Sequence, residues 1–394
     1  MNSQTCPEGL YIHLPFCAAL CSYCDFVSEV HVPARATKYL DALENELRAR
    51  CSSLADLRGQ ELRAKSQELF SPRTIFIGGG TPTALDVKEL QNFFDMLRRH
   101  VDLSGVQELT IEANPGTIDA RKLEFLLKQG VNRISFGVQS FQPHLLKLLG
   151  RIHSAEQARE AIRAARAAGF SNISIDLLHG VATETLDDLR RDLDAAIALK
   201  TEHLSAYGLI YEEGTPLNTS VEQGRVAALS PEEESAQYML VMETLEAAGL
   251  LQYEISNYAR PGRESQHNLI YWRNEAYLGV GVSAASFMSW ERTTNTKDMD
   301  LYITSAAATG KAVDIAETLD PQARARESLV LELRLRAGVD ASELQRRWGL
   351  DIERECPALS KYLGEGLMEK TTSGRYRISR RGLPVADGIL AEFV

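Results

Sequence analysis

No stretch of this 394-residue chain stays apolar long enough to cross a bilayer. The longest weakly polar run, Tyr277 to Met288, is about 12 residues and rich in Gly, Ala and Ser, against the ~20 that a spanning helix needs. An excess of positive charge is missing too. The 43 Lys and Arg against 54 Asp and Glu leave a net charge of −11, which argues against nucleic-acid binding as the main task. The opening residues, MNSQTCPEGL, carry no basic start followed by an apolar core, so no secretory signal is expected. Low-complexity segments are absent, as is any internal repeat beyond an alternation of strands and helices. Cysteine is scarce, six in all, and half of them fall within eight residues. Cys6, Cys51 and Cys356 read as ordinary packing or surface thiols. Clustered thiols in a chain without a signal fit a reducing compartment, where they bind metal instead of pairing. A soluble, cytoplasmic protein is the expectation.

What is present begins with those clustered thiols. In YIHLPFCAALCSYCDF, residues 11–26, Cys17, Cys21 and Cys24 follow a short strand-like run in a C-x3-C-x2-C spacing. Soft thiolates gathered on one loop are what iron–sulfur clusters and zinc require. A 4Fe–4S cube held by three of them exposes one iron without a protein ligand. Zinc, completed by Cys6 or His13, is the alternative. Zinc sites usually add a second ligand pair far downstream, and none is evident.

Strand-like runs lie at Leu10–Pro15, Thr74–Gly79, Glu108–Asn114, Arg133–Gln139, Asn172–Gly180 and His203–Ile210. Helical patterns alternate with them at Lys38–Arg50, Val87–His100, Ala120–Gln129, Ala155–Ala168, Thr185–Leu199 and Glu232–Ala248. Asp119 and Ser154 suit N-caps, Pro231 after Ser230 suits a helix start, and Gly130, Gly169 and Gly249 stand where C-caps belong. Strict alternation predicts a parallel sheet with right-handed crossovers. Parity then chooses between architectures, because successive strand residues face opposite sides. One face carries Ile12, Ile75, Ile77, Ile111, Ile134, Phe136, Ile173 and Ile175. The other carries Tyr11, His13, Gly78, Glu112, Gly137, Gln139 and Asp176. A doubly wound sheet buries both faces and reads apolar on each, so one polar face predicts an open six-unit (β/α) barrel whose inner wall meets a ligand. Residues 51–73 suggest a charged, solvated helical extension. Three segments are expected: a core at 1–295, a linker with a helix at 296–320, and a C-terminal domain at 321–394. In the last, helices near 322–336, 340–348 and 357–368 precede a hairpin at Met368–Ser379, a winged-helix-like order.

At the end of the second strand stands Gly78-Gly79-Gly80-Thr81-Pro82, where glycines let backbone approach a ligand and Thr81 adds a hydroxyl. With the cysteine spacing and with EANPG at Glu112–Gly116, this resembles the radical S-adenosylmethionine (SAM) superfamily. More narrowly, YIHLPFC, RISFGVQSF, LLGRIH, NISIDL, EISNYA and HNLIYW resemble its HemN/HemW group over nearly the whole chain. The resemblance implies an open six-unit barrel, a partial TIM barrel of the radical SAM type, with a small C-terminal domain. It implies that Cys17, Cys21 and Cys24 ligate a 4Fe–4S cluster whose open iron SAM chelates. Tyr11 and Tyr23 would line the nucleoside and cluster region. Gly79, Gly80 and Thr81 would meet the methionine amino group, and Glu112 would bind SAM. Positions matching Gln139, Arg151, Asp176 and Leu209 hold a second SAM in the porphyrinogen-oxidising members. From residue types alone, Asp176 or Arg151 could equally form an ion pair inside a polar barrel.

Two functions divide that group. One is oxidative decarboxylation of coproporphyrinogen III through a 5′-deoxyadenosyl radical; the other is carriage of heme to other proteins. Oxidases carry a further cysteine two places after the third, where this chain has Phe26 after Asp25. They also have a long N-terminal extension, whereas ten residues precede Tyr11 here. His267-Asn268-Leu269-Ile270-Tyr271-Trp272 matches the H-N-x-x-Y-W signature of the carrier group. A neutral imidazole is a good heme ligand, and Tyr271 and Trp272 could stack on the macrocycle. Equally, His267 and Asn268 could cap a turn while Tyr271 and Trp272 pack in a core. The expected function is heme carriage, with the oxidase as alternative; heme is then the cargo. Heme-accepting apoproteins are the partners, membrane respiratory enzymes among the candidates, with peripheral membrane contact and dimerisation left open. The chain departs from the group after its fifth strand, where G-L-P-G-Q-T is usual and Gly180 is followed by Val-Ala-Thr-Glu-Thr. Arg346, Arg347, Arg375, Arg377, Arg380 and Arg381 in the tail could suggest DNA, but the acidic total and interspersed glutamates argue against it. The resemblance implies a small domain there that partly covers the barrel, so partner docking is the expectation.

Overall fold

The computed structural model describes residues 6–57, 69–288 and 290–394. Of the charged extension expected at 51–73, residues 58–68 lie outside the described residues, and 51–57 are helical. The chain divides into two compact units, one of residues 1–174, 211–222 and 276–317, the other of residues 175–210, 223–275 and 318–394.

The strand–helix alternation is present as expected, with ends moved by no more than two residues except at the first helix, expected at Lys38–Arg50 and running from Pro33 to Leu57. The strands are β1 (Gly9–Leu14), β2 (Thr74–Gly79), β3 (Glu108–Ala113), β4 (Arg133–Gln139), β5 (Ile173–His179) and β6 (His203–Gly208). Each is followed by a long helix: α1 (Pro33–Leu57), α2 (Val87–His100), α3 (Ala120–Lys128), α4 (Ala155–Ala168), α5 (Leu186–Ala198) and α6 (Pro231–Ala247). The helix starts are written in the sequence. Asp86, Ser154, Thr185 and Ser230 each form a reciprocal capping box with the residue three places on, and Asp119 accepts from the Lys122 N–H. Gly169 closes α4 in the left-handed conformation. On α2 the buried face is Leu90, Phe93, Phe94 and Leu97, the i, i+3, i+4, i+7 stripe, and each such side chain contributes about 1.5–3 kcal/mol by leaving water.

In the first unit, β1, β2, β3 and β4 are parallel neighbours in that order, Ile12 opposite Ile77 and Ile77 opposite Ile111. The parity reading is visible in burial. The apolar face is fully buried, while Tyr11, Phe76, Glu112, Gly137 and Gln139 on the other face keep partial access to solvent. Beside β1 lie further strands, Tyr277–Val280 parallel to it, then Ala285–Met288 and Glu291–Asn295 turning back antiparallel, and last Val313–Thr318. The alternation pattern announces none of these.

In the second unit β5 and β6 are followed by two antiparallel strands, Asn257–Ala259 beside β6 and Leu251–Glu254 outermost. Its C-terminal part holds helices at Pro321–Leu333, Ala341–Trp348, Ile352–Glu355 and Pro357–Gly364, then a hairpin of Met368–Lys370 with Tyr376–Ile378. The third expected helix, 357–368, ends early at Gly364, and Met368 begins the hairpin instead. The tail arginines are occupied: Arg346 pairs with Glu343, Arg347 with Glu332, Arg375 with Asp340, Arg377 with Glu369 and Arg380 with Glu246, and Arg381 reaches the Glu365 carbonyl.

Candidate functional site

The cysteine loop leaves β1 at Pro15 and is pinned at several points. Phe16 pairs with Glu29 and Cys17 with Val30 in a short parallel ladder. His13 holds the far end of the loop, its Nε2 lying 2.9 Å from the Val27 carbonyl. That carbonyl can only accept, so Nε2 carries the proton and Nδ1 is left to accept from the Tyr11 hydroxyl at 3.1 Å. Burial pushes His13 down to about 4, which keeps it neutral. With both ring nitrogens committed, His13 is not available to complete a zinc tetrahedron.

Gly79 and Gly80 bring β2 against this loop. Gly79 has φ +111°, and a Cβ there would sit 2.8 Å from the His13 ring. A Cβ on Gly80 would meet the backbone of Pro15 and Phe16 at 2.8–2.9 Å. The Gly79 N–H donates to Glu112 Oε2 at 3.1 Å, and the Tyr11 ring stacks on Phe76 with centroids 6.2 Å apart. Tyr11, Gly79, Gly80, Thr81 and Glu112 are thus gathered on, or just after, three adjacent parallel strands. Burial, then the nearby Glu112 charge, raises the Tyr11 phenol well above its ordinary range. Tyr23 stands half-buried within the loop.

Each of the three thiols faces a donor. Thr81 Oγ1 points at Cys17 Sγ from 3.7 Å, and the Ser28 side chain bonds to the same sulfur. The Phe26 N–H serves Cys24, and Arg151 Nη1 serves Cys21 Sγ at 3.2 Å. Burial raises Cys17, and it lifts Cys24 to about 11, with the neighbouring thiols adding to both. Sulfurs that sense one another, lie half-buried and each attract a donor suit anionic thiolates neutralised by a bound metal group. No three or more His, Cys, Asp or Glu side chains among the described residues converge as a single ion demands.

The four residues expected at a second SAM divide between the units. Gln139 and Arg151 are together in the first, at the end of β4, a would-be Cβ on Gly137 lying 3.1 Å from Gln139 Nε2 and 3.3 Å from Arg151 Nη2. Gln139 holds φ +69°, a conformation that a non-glycine residue adopts at a cost of order 1 kcal/mol. In the second unit, Asp176 is half-buried on β5 next to the Tyr207 phenol, and Leu209 follows β6 with its N–H on the His179 carbonyl at 2.8 Å.

The H-N-x-x-Y-W segment forms α7 (Gln266–Trp272), with Ser265 as N-cap. His267 is fully buried, and its Nε2 lies 2.8 Å from the hydroxyl of Tyr271 one turn on. The Arg334 guanidinium covers the Trp272 ring at 4.6 Å. Sequence reasoning missed His13 and Phe26 as supports of the cysteine loop, and Arg151 as a neighbour of Cys21. A polar residue on an inward strand face four places before the first cysteine was the available signal for His13.

Parallel strand–helix units with a three-thiol loop after the first strand and a glycine turn after the second define a radical SAM protein. Residues 11–196 match the radical SAM superfamily and residues 319–385 the HemN C-terminal domain. The fold matches the solved Escherichia coli coproporphyrinogen III oxidase (HemN), described as a radical SAM enzyme, with TM-score 0.84 and 23% identity over 98% of this chain and 90% of that one. Within the class, the heme chaperone HemW of Bacillus subtilis is 36% identical over 98% of this chain and 99% of its own. That of Escherichia coli is 38% identical over 71% of this chain and 69% of its own. The chain belongs to the HemW family.

Proposed function

We propose that this protein is a heme carrier that binds a 4Fe–4S cluster through Cys17, Cys21 and Cys24, binds SAM at the cluster, and passes heme to acceptor apoproteins. The observation that carries the reading is the end-to-end match to relatives named heme chaperone. Phe26 supports it, since it stands 66% exposed where the oxidases place another cysteine. The cluster would supply a redox-active iron with an open coordination position for SAM. The chain's own residues do the rest. Gly79 and Gly80 let β2 pack close to the thiol loop, Thr81 and Tyr11 would line the approach, and Glu112 offers an acceptor for an ammonium group. Gln139 and Arg151, in the first unit, are proposed contacts of a further SAM. His267, Tyr271 and Trp272 are the proposed contacts of heme, for which His267 must exchange its bond with Tyr271. The clustering of three cysteines on one loop supports a reducing compartment such as the cytoplasm, and no described helix is long and apolar enough to cross a membrane.

The test is anaerobic purification followed by iron, sulfide and zinc analysis and a heme titration read by absorbance. Iron and sulfide in equal amounts together with saturable heme uptake are expected; zinc alone, or no heme uptake, refutes the reading. Incubation with coproporphyrinogen III, SAM and a reductant separates the two classes. Protoporphyrinogen formed at an enzyme-like rate would put the oxidase in place of the carrier.

A further inference from the structure

We infer that Arg151 is a positioning residue for the cluster, a cationic donor to the Cys21 sulfur that raises the cluster's reduction potential. The inference rests on the cluster reading above and goes beyond it. Arg151 Nη1 lies 3.2 Å from Cys21 Sγ, and Nη2 donates to the carbonyl of Gly137 on β4. One planar fork therefore ties a sulfur of the loop to the end of a strand, a geometry that a lysine cannot reproduce.

The segment that carries Arg151 is fixed against the loop before the side chain is considered. The Ser22 N–H donates to the Leu149 carbonyl at 3.1 Å, and the Ser22 hydroxyl donates to the Leu148 carbonyl at 2.7 Å. Ser22 is the neighbour of Cys21 and Leu149 is two residues before Arg151, so the sulfur and the guanidinium are held in register by backbone. The carbonyl of Ser22 is in turn held by the Leu217 N–H at 2.8 Å. Gly137 completes the arrangement, because any larger residue would crowd Nη2.

The donors are unequal. Cys17 receives hydroxyls, from Thr81 and Ser28, and Cys24 receives a backbone N–H from Phe26, whereas Cys21 receives a full positive charge. A cation hydrogen-bonded to a thiolate withdraws charge from it, and it favours the reduced cluster because that state carries one more electron. Such outer partners also orient their ligands and are costly to remove.

The test begins with iron and sulfide analysis of the unsubstituted protein; their absence fails the cluster reading and not this inference. Given a cluster, its midpoint potential is then measured by anaerobic titration without SAM for the unsubstituted protein, Arg151→Gln and Arg151→Lys. The potential is expected to move to more negative values in Arg151→Gln and to recover in part in Arg151→Lys. An unchanged potential with iron and sulfide intact overturns the inference. A shift seen only when SAM is added also overturns it, because Arg151 then acts on SAM. Should both variants lose the cluster, pulsed EPR of the reduced unsubstituted protein carrying 15N-labelled arginine decides. Coupling of an arginine nitrogen to the cluster is expected, and its absence rejects the donor.

Discussion

Two motifs of equal prominence in the sequence, the cysteine loop and the H-N-x-x-Y-W helix, end in opposite physical situations. Around the loop, half-buried thiols each face a donor, and Gly79 and Gly80 let the end of β2 pack directly against the loop and His13. In the helix His267 is fully buried and bonded to Tyr271 one turn on, while Trp272 lies under Arg334 with its indole Nε1 buried and without a hydrogen-bond partner. The loop's sulfurs draw donors from distant parts of the chain, whereas His267 is bonded within its own helix and admits a ligand at Nε2 only by exchanging that bond.

The largest effect that can break this contrast is loss of a thiol. Replacing Cys21 by Ser removes one of three ligands and the acceptor of Arg151, and iron and sulfide content should fall from stoichiometric to background. Replacing His267 by Ala should leave both contents unchanged. A Cys21→Ser protein that retains a full cluster would show that the three-thiol assignment is wrong.

How much of this was legible before the structure depends on whether the information is local. Capping residues Ser154, Thr185 and Ser230 announce their helices because cap and partner lie three residues apart. The polar wall formed by Tyr11, Glu112 and Gln139 was legible from period-two parity alone. The pairing of Arg151 with Cys21 was not, because 130 residues separate the two and the contact depends on how two loops dock. The antiparallel strands after Tyr277 were equally hidden. ERTTN at Glu291–Asn295 is polar at most positions, and it becomes a strand through its ladder with Ala285–Met288.

The second unit also holds a group that is not satisfied, away from the H-N-x-x-Y-W helix. Glu184 stands in the loop after β5 where the family pattern has glutamine, and it is 3% exposed. Its Oε2 accepts from the Val181 N–H at 3.3 Å, while its Oε1 is buried without a partner. Burial first, then the charges of Asp192 and Asp188, push it up to about 8. An acid whose pKa is raised on folding contributes stability that is complete below its unfolded value and is lost as pH rises through the folded one. Stability should therefore decline between about pH 4.5 and pH 8, by about 2–4 kcal/mol from this group. Glu184→Gln should flatten that decline and raise the melting temperature at pH 8.5 while changing little at pH 5. A pH profile of melting that is the same in both proteins would show that Glu184 is hydrated and ordinary.

The smallest expected effect bears most directly on the helix. Tyr271→Phe removes the hydroxyl bonded to His267 and little else, at a stability cost of about 1 kcal/mol, because the histidine loses its buried partner. The same change frees Nε2, the nitrogen that an iron would need. If His267 ligates heme, the energy no longer spent on breaking that bond should appear as affinity, about fivefold tighter for 1 kcal/mol, in a heme titration followed by absorbance. His267→Ala should weaken the same titration and alter the spectrum. Unchanged affinity and spectrum in both variants, with the stability cost still present in Tyr271→Phe, would make α7 a packing element and move heme to another part of the chain.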